Sequence, residues 1–364
     1  MKISILFFGQ IPPPYHGQSI MIQKLLGYHY EGVELIHVPM NYSSDLTQIG
    51  KLSVSKVISL LRVIFKGIKH LFLDKIDAVY YPPAGHNKIP VIRDIITLLI
   101  IRSFKKKLIF HFHALGLQNF YNQQSRFLQK LMKMAYGNPD TCVCLSNGNI
   151  KDIDFLNSKE TRIIPYGVVD HFSSKKRVKK NDIVSILYLG NLYRSKGVAC
   201  LLDAAQILLA KKIQFELNFV GGFKDEKFKR WVQNHPSYCE TNVRFHGILT
   251  GQNKYDKLAK ADFFCFPTNY ENENFPVVLL EAMSFGLPLI GTDWRSVSDM
   301  VRNDENGILI DKQDPTLLAE ALNSLIADQN KRQRLGDKSR EIFKVEYSDT
   351  LYLQRFEELF LSKQ

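Results

Sequence analysis

Two carboxylates, Glu273 and Glu281, bracket a helix start in Pro267-Thr-Asn-Tyr-Glu-Asn-Glu-Asn-Phe-Pro-Val-Val-Leu-Leu-Glu-Ala-Met-Ser-Phe-Gly286. The helix expected over residues 277–285 is apolar nearly all round, with Glu281 its one charge, so it belongs between layers. A carboxylate on such a helix must find donors or bind its proton more tightly. Two readings satisfy that need: a Lys or Arg from another element, or the hydroxyls of a ligand. The N–H groups of Phe275, Val277 and Val278 are free to face an anion, which the helix dipole also favours. A ligand carrying both phosphates and a diol would satisfy both ends of the motif.

A second set of groups suits the same ligand. In Gly190-Asn-Leu-Tyr-Arg-Ser-Lys-Gly-Val198, Arg194 and Lys196 stand beside a glycine-flanked helix start, where two positive charges can balance a diphosphate. Surface charge is the alternative for each. In Lys107-Leu-Ile-Phe-His-Phe-His113, strand alternation puts His111 and His113 on one face and Phe110 and Phe112 on the other. His113 falls at the carboxyl end, where open α/β sheets bind ligands, or is a structural histidine. His-x-His and Cys142-Val-Cys144 lack the further ligands that a metal site needs, and no metal site is assigned.

These groups must be positioned by βα units. Residues 262–266 and 287–291 read as buried parallel strands, which makes the helix between them a crossover, with Pro276 at its first position and Gly286 at its stop. In the first half, residues 2–8 read as a strand, followed by the loop Gly9-Gln-Ile-Pro-Pro-Pro-Tyr-His-Gly-Gln18 and a helix over 19–26. Strands follow at 33–39, 77–82, 107–113, 141–146 and 161–166, and helices at 52–73, 89–104 and 147–156. The helix over 52–73 has Lys51, Lys56, Arg62, Lys66, Lys69 and Lys75 on or beside it, and Leu52, Val57, Leu61, Ile64, Ile68 and Phe72 as its expected core stripe. Its basic face is either solvated surface or a dock for anionic lipid. The polar, basic, aperiodic residues 173–182 read as a linker. A second βα series follows, with strands at 183–189, 215–220, 243–246 and 308–310 beside those named, and later helices near 315–328 and 331–343.

The chain has 364 residues, enough for two α/β domains, with 45% hydrophobic and 23% charged residues, as in globular proteins. No apolar run reaches the length of a membrane span, and residues 3–8 are too short for the apolar region of a secretory signal. Five cysteines, mostly in apolar runs, read as reduced core residues of a cytoplasmic protein. The net charge of +12 calls for an anionic partner. Nucleic acid is not expected, because no helix-turn-helix, zinc finger or RNA-binding signature is present. A membrane surface or a pyrophosphate fits better.

Glu273-Asn-Phe-Pro-Val-Val-Leu-Leu-Glu281, continued by Ala282-Met-Ser-Phe-Gly-Leu-Pro288, resembles the E-x7-E motif of retaining glycosyltransferases of the GT-B fold, in particular glycosyltransferase family 4. The resemblance spans nearly the whole chain and implies an α/β GT-B fold of two facing Rossmann-like, doubly wound domains with a cleft between. The expected domains are residues 1–172, joined by a C-terminal helix within 347–364, and residues 182–345. It implies that Glu281 binds the ribose diol of a nucleotide sugar and Glu273 the donor sugar's hydroxyls. Backbone groups between them serve the diphosphate, which places Asn274, Phe275, Pro276, Val277 and Val278 in the donor site. Lys196 matches the family's pyrophosphate-binding Lys. Asn191 occupies the usual Arg position, so Arg194 is its candidate substitute. His113 matches a His that contacts the donor sugar. Gly17 matches a Gly that approaches the diphosphate, with His16 where a second Gly is usual. Ile164-Pro-Tyr-Gly-Val-Val-Asp-His-Phe172 is similar to the segment closing the first domain, with Tyr166 replacing the usual Asn.

The function implied is transfer of a sugar from a nucleotide diphosphate donor, UDP-linked or GDP-linked, to a hydroxyl of a glycan or a lipid-pyrophosphate-linked acceptor in bacterial surface polysaccharide (O-antigen or capsule) synthesis. It would proceed with no cofactor or metal, at the inner face of the plasma membrane. A GT-B-fold nucleotide-sugar 2-epimerase and a non-catalytic membrane-associated scaffold are the alternatives. The epimerase would need its own acid/base set, and the scaffold could have lost Glu273, Glu281 or Lys196.

Overall fold

The computed structural model describes residues 2–14, 17–42, 54–172 and 183–362. The expected linker over 173–182 and the residues Lys51, Leu52 and His16 lie outside them. The chain forms two compact units, Met1–Tyr166 with Thr350–Gln364, and Gly167–Asp349.

In the first unit six parallel strands, β1 (Ile3–Gly9), β2 (Val33–Pro39), β3 (Ala78–Tyr81), β4 (Lys107–His111), β5 (Thr141–Cys144) and β6 (Glu160–Ile163), lie in the order β2-β1-β3-β4-β5-β6. The order reverses between β1 and β3. In such sheets a crevice outside the strands' carboxyl ends opens at the reversal. The helices of this unit begin with α1 (Gly17–Gly27), α2 (Val54–Leu73) and α3 (Lys88–Ser103). They continue with α4 (Leu117–Asn122) and α5 (Arg126–Tyr136). Alternation along β4 separates two packing environments. Phe110 and Phe112 join a cluster with Val91, Leu98, Met132 and Tyr136 of α3 and α5, while His111 lies on the opposite face with Tyr80. Residues 147–156, expected as one helix, form two short 3-10 turns, Asn147–Asp152 and Asp154–Leu156.

The packing of α2 departs from its expected stripe. Val63, Gly67 and Leu71 face the core, whereas Val57, Leu61 and Phe72 are exposed. The helix is apolar on more than one side, so periodicity could not choose the buried face. Gly67 chooses it: a Cβ there would lie 2.8 Å from the Phe8 ring, so only glycine permits the helix to sit that close to β1.

In the second unit β7 (Val184–Leu189), β8 (Phe215–Val220), β9 (Val243–Phe245), β10 (Phe263–Phe266), β11 (Leu289–Thr292) and β12 (Gly307–Ile310) form a parallel sheet ordered β12-β11-β10-β7-β8-β9. The connections carry α6 (Val198–Ala210), α7 (Glu226–Gln233), α8 (Gly251–Lys260), α9 (Val277–Ser284) and α10 (Val297–Met300). They are followed by α11 (Pro315–Ala327), α12 (Gln329–Ile342) and α13 (Asp349–Leu361), the last belonging from Thr350 onward to the first unit. Read from β9 to β12 this is the Rossmann order, and its reversal falls between β7 and β10. Within the first unit Tyr352 and Phe356 of α13 reach the rings of Tyr166 and His111.

The boundary between units falls after Tyr166, six residues before the expected end of the first domain. Residues 167–172 are bound to the second unit. Val168 N–H donates to Tyr347 O at 3.1 Å, Asp349 N–H donates to Val168 O at 3.0 Å, and Arg340 grips the Asp170 carboxylate with two N–H groups at 2.8 and 2.5 Å. Phe172 packs edge-on to Phe285.

Candidate functional site

The loops that leave β7 and β10 at the reversal of the second sheet bring Lys196 and Glu273 together. The Lys196 Nζ is 3.0 Å from Glu273 Oε2, both side chains being largely buried. The contact has ion-pair distance without hydrogen-bond alignment, since Oε2 has no hydrogen-bond partner among the described residues. The ammonium also lies 5.2 Å from the centre of the Tyr270 ring and 5.6 Å from that of Phe266. Aromatic faces hold a cation in place and leave its N–H groups available to an anion.

The backbone makes this contact possible. Gly197, just before α6, has φ +84°, and a Cβ on it would lie 2.1 Å from Pro267 O. No other residue lets the two loops approach so closely. Gln313 Nε2 then donates to both Ser195 O at 3.1 Å and Pro267 O at 2.6 Å, and Asn269 N–H donates to Ser195 O at 2.8 Å. Trp294 Nε1–H donates to Tyr270 O at 2.9 Å.

Glu281 has found a protein partner: Lys254 Nζ of α8 donates to Oε1 at 2.6 Å. Of the two readings open to this carboxylate, pairing with a Lys from another element is therefore realised. Asn274 and Phe275 are buried, and Val277 and Val278 are half-buried at the start of α9. Pro276 stands one position earlier than expected, as the residue capping α9, with φ −70° and ψ 103°. Arg194 is turned to α7, its guanidinium 4.2 Å from the centre of the Trp231 ring and 5.4 Å from that of Phe228.

In the first unit His113 lies just beyond β4, buried, with Nδ1 2.6 Å from the phenol oxygen of Tyr166. Its ring is 3.9 Å, centre to centre, from that of His111, whose Nδ1 is 2.6 Å from Tyr80 Oη. Burial, and then the nearby His113, push the His111 pKa well below the ordinary histidine value. Gly17 opens α1, and a Cβ there would meet no atom within 4 Å, so the protein's own packing does not require glycine at that position. Two aspartates that sequence reasoning passed over hold the neighbouring loops. Asp152 accepts from Gly116, Leu117 and Gln118 N–H at 2.9, 3.0 and 3.2 Å. Buried Asp94 accepts from Tyr81 Oη at 2.8 Å and Ala84 N–H at 2.6 Å. Lys254 was missed as well. Its only signal in the sequence is the expectation that Glu281 needs a cation.

Comparison with known proteins follows the same lines. Residues 170–342 match the model of the family described as glycosyl transferases group 1. An uncharacterized glycosyltransferase of Methanocaldococcus jannaschii is 28% identical over 58% of this chain and 57% of its own length. The O-antigen chain mannosyltransferase C of Escherichia coli is 27% identical over 65% of this chain and 66% of its own. The aligned part thus spans about three-fifths of the length of these relatives. A crystal structure of Anabaena HepE in complex with UDP superposes with a TM-score of 0.73 at 15% identity, covering 100% of both chains. Two Rossmann-like units with these sheets define a protein of the glycosyltransferase GT-B fold. Over its second unit the chain is similar to the glycosyl transferases group 1 family.

Proposed function

We propose that the chain is a retaining glycosyltransferase that moves a hexosyl or N-acetylhexosaminyl group from a nucleotide diphosphate donor, UDP-linked in preference to GDP-linked, to a hydroxyl of a glycan or lipid-pyrophosphate-linked acceptor in bacterial surface polysaccharide synthesis. The observation that carries this reading is the Lys196–Glu273 contact at the reversal of the second sheet. The name of the E. coli O-antigen relative supports the glycan class, and the UDP in HepE supports the nucleotide.

In this reading the bond from the sugar's anomeric carbon to the diphosphate oxygen breaks and a bond to the acceptor oxygen forms on the same face. The acceptor's proton passes to the leaving phosphate oxygen. Lys196 and the N–H groups of Val277 and Val278 stabilise the charge that builds on the diphosphate, a contribution often of several kcal/mol. Glu273 orients the sugar beside the carbon that becomes electron-poor, and His113 contacts it. Glu281 receives the ribose diol, sharing its carboxylate with Lys254. The reaction draws its positive charge from these side chains and needs no metal.

The site works beside a membrane in this reading. Among the described residues no helix is long and apolar enough to cross one. The exposed face of α2 carries Val57, Leu61, Phe65 and Phe72 together with Arg62, Lys66 and Lys69, a combination that suits the surface of an anionic bilayer.

The experiment is a screen of UDP- and GDP-sugars that reads released nucleotide diphosphate, with and without a lipid-pyrophosphate sugar acceptor, repeated in excess EDTA. Acceptor-dependent release that survives EDTA, with a product of retained anomeric configuration by NMR, is expected. Release by none of the donors overturns the reading; loss in EDTA with rescue by Mg²⁺ or Mn²⁺ overturns its metal independence.

A further inference from the structure

The strand β4 carries two imidazoles in contact, each bound at Nδ1 by a buried tyrosine: Tyr80 to His111 and Tyr166 to His113, both at 2.6 Å. We propose that Tyr166 is a positioning residue that sets the proton on His113. Its phenol donates to Nδ1, the neutral imidazole keeps its proton on Nε2, and His113 meets the donor sugar as a hydrogen-bond donor, never as a general base. This rests on the reading of His113 as a contact to that sugar.

The direction of the bond follows from the surroundings. A phenol has one O–H to donate, and a neutral imidazole has one nitrogen that accepts. Tyr166 is buried, and burial pushes its pKa up, so it retains its proton as a donor. The ring of His113 stacks at 5.8 Å on that of Tyr166 and lies tilted at 3.9 Å from that of His111. Tyr80 of β3 and, from α13, Tyr352 against Tyr166 and Phe356 against His111 also face the pair. An imidazolium here would be desolvated among aromatic rings and beside a second imidazole, both of which disfavour the charge. The tautomer is then set by the partner of the other nitrogen, as is general for histidine.

Tyr166 stands where the resembling family usually has Asn. Both side chains can donate a hydrogen bond, but only the phenol also stacks on the imidazole and lacks a strong acceptor of its own, so it fixes ring plane and proton together.

The test is the nitrogen spectrum of the full chain labelled with ¹⁵N-histidine, with His111→Gln and His113→Gln used for assignment. In the wild type, between pH 6 and 8, His113 should give the pattern of the Nε2–H tautomer. In Tyr166→Phe the Nδ1 resonance should move and the tautomers mix. For the donor active in the screen above, kcat of that variant should fall on the order of tenfold, the scale of one hydrogen bond, with the donor KM unchanged. An imidazolium or an Nδ1–H pattern for His113 in the wild type overturns the proposal without recourse to any variant, and so do nitrogen shifts unchanged in Tyr166→Phe. Full turnover in His113→Gln with the expected spectrum overturns the use of that proton in sugar transfer, separately from the hold that Tyr166 has on it.

Discussion

Lys254 and Glu281 form a direct, largely buried ion pair, 2.6 Å from Nζ to Oε1, between α8 and α9 of the second unit. The pair solves the burial of a lone carboxylate on an apolar helix. In the proposed function a ribose diol would reach a carboxylate one oxygen of which Lys254 already engages. Glu281→Gln keeps the shape but turns one acceptor oxygen into a donor and leaves Lys254 without its counter-charge. Calorimetry with UDP should show binding weakened by roughly 1–3 kcal/mol. Unchanged affinity would remove Glu281 from the nucleotide site.

Lys196 and Glu273 divide the work differently. In the proposed reaction charge grows on the diphosphate and on the anomeric carbon only as the bond breaks, so both residues would matter most in the transition state. In Glu273→Gln kcat should fall while UDP affinity barely changes. Lys196→Ala should lower both, because a ground-state diphosphate already carries charge. A Glu273 variant that loses UDP affinity while the Glu281 variant keeps it would exchange their assignments.

How much of this was legible in the sequence differs from residue to residue. The reversal loops were legible, because apolar strand runs ending in Gly190 or Pro267 locate the carboxyl ends of β7 and β10 without any knowledge of packing. The meeting of Lys196 with Glu273 follows from sheet order, which depends on contacts far apart in the chain. Tyr166 was visible only as a departure from a pattern; its bond to His113 needs the three-dimensional path from β4 to the end of the first unit. The buried face of α2 was misread because a helix apolar on more than one side conceals its orientation, and a glycine, which scores as nothing in a periodicity, decides it.

The exposed face of α2 leads to a prediction about lipid. Vesicles containing anionic phospholipid should retain the protein at low salt and release it at high salt. Lys66→Glu with Lys69→Glu should abolish retention, and Phe65→Ser should weaken it at every salt concentration. Retention indifferent to lipid charge would count against the proposal.

Acid should destabilise the first unit through His111. Its folded pKa is depressed, by burial and then by His113, whereas the unfolded side chain titrates near the ordinary value of about 6.5. Above that value both states are neutral and nothing is lost. Below it the unfolded chain binds a proton that the folded chain refuses, so stability falls as pH falls, by up to about 1.4 kcal/mol per pH unit for this one group. Denaturant unfolding at pH 7.5, 6 and 5 should show a smaller decline in His111→Gln than in the wild type. Equal slopes in the two proteins would contradict the assignment.

The amide of Gln313 reaches the carbonyls of Ser195 and Pro267 at once, and Gly197 lets the loops carrying them touch. Segments joined in this way have already surrendered their independent motion when the chain folds. On the proposed reading a nucleotide arriving at Lys196 would therefore meet a frame whose ordering entropy is spent beforehand, and little of its binding free energy need go to immobilising backbone.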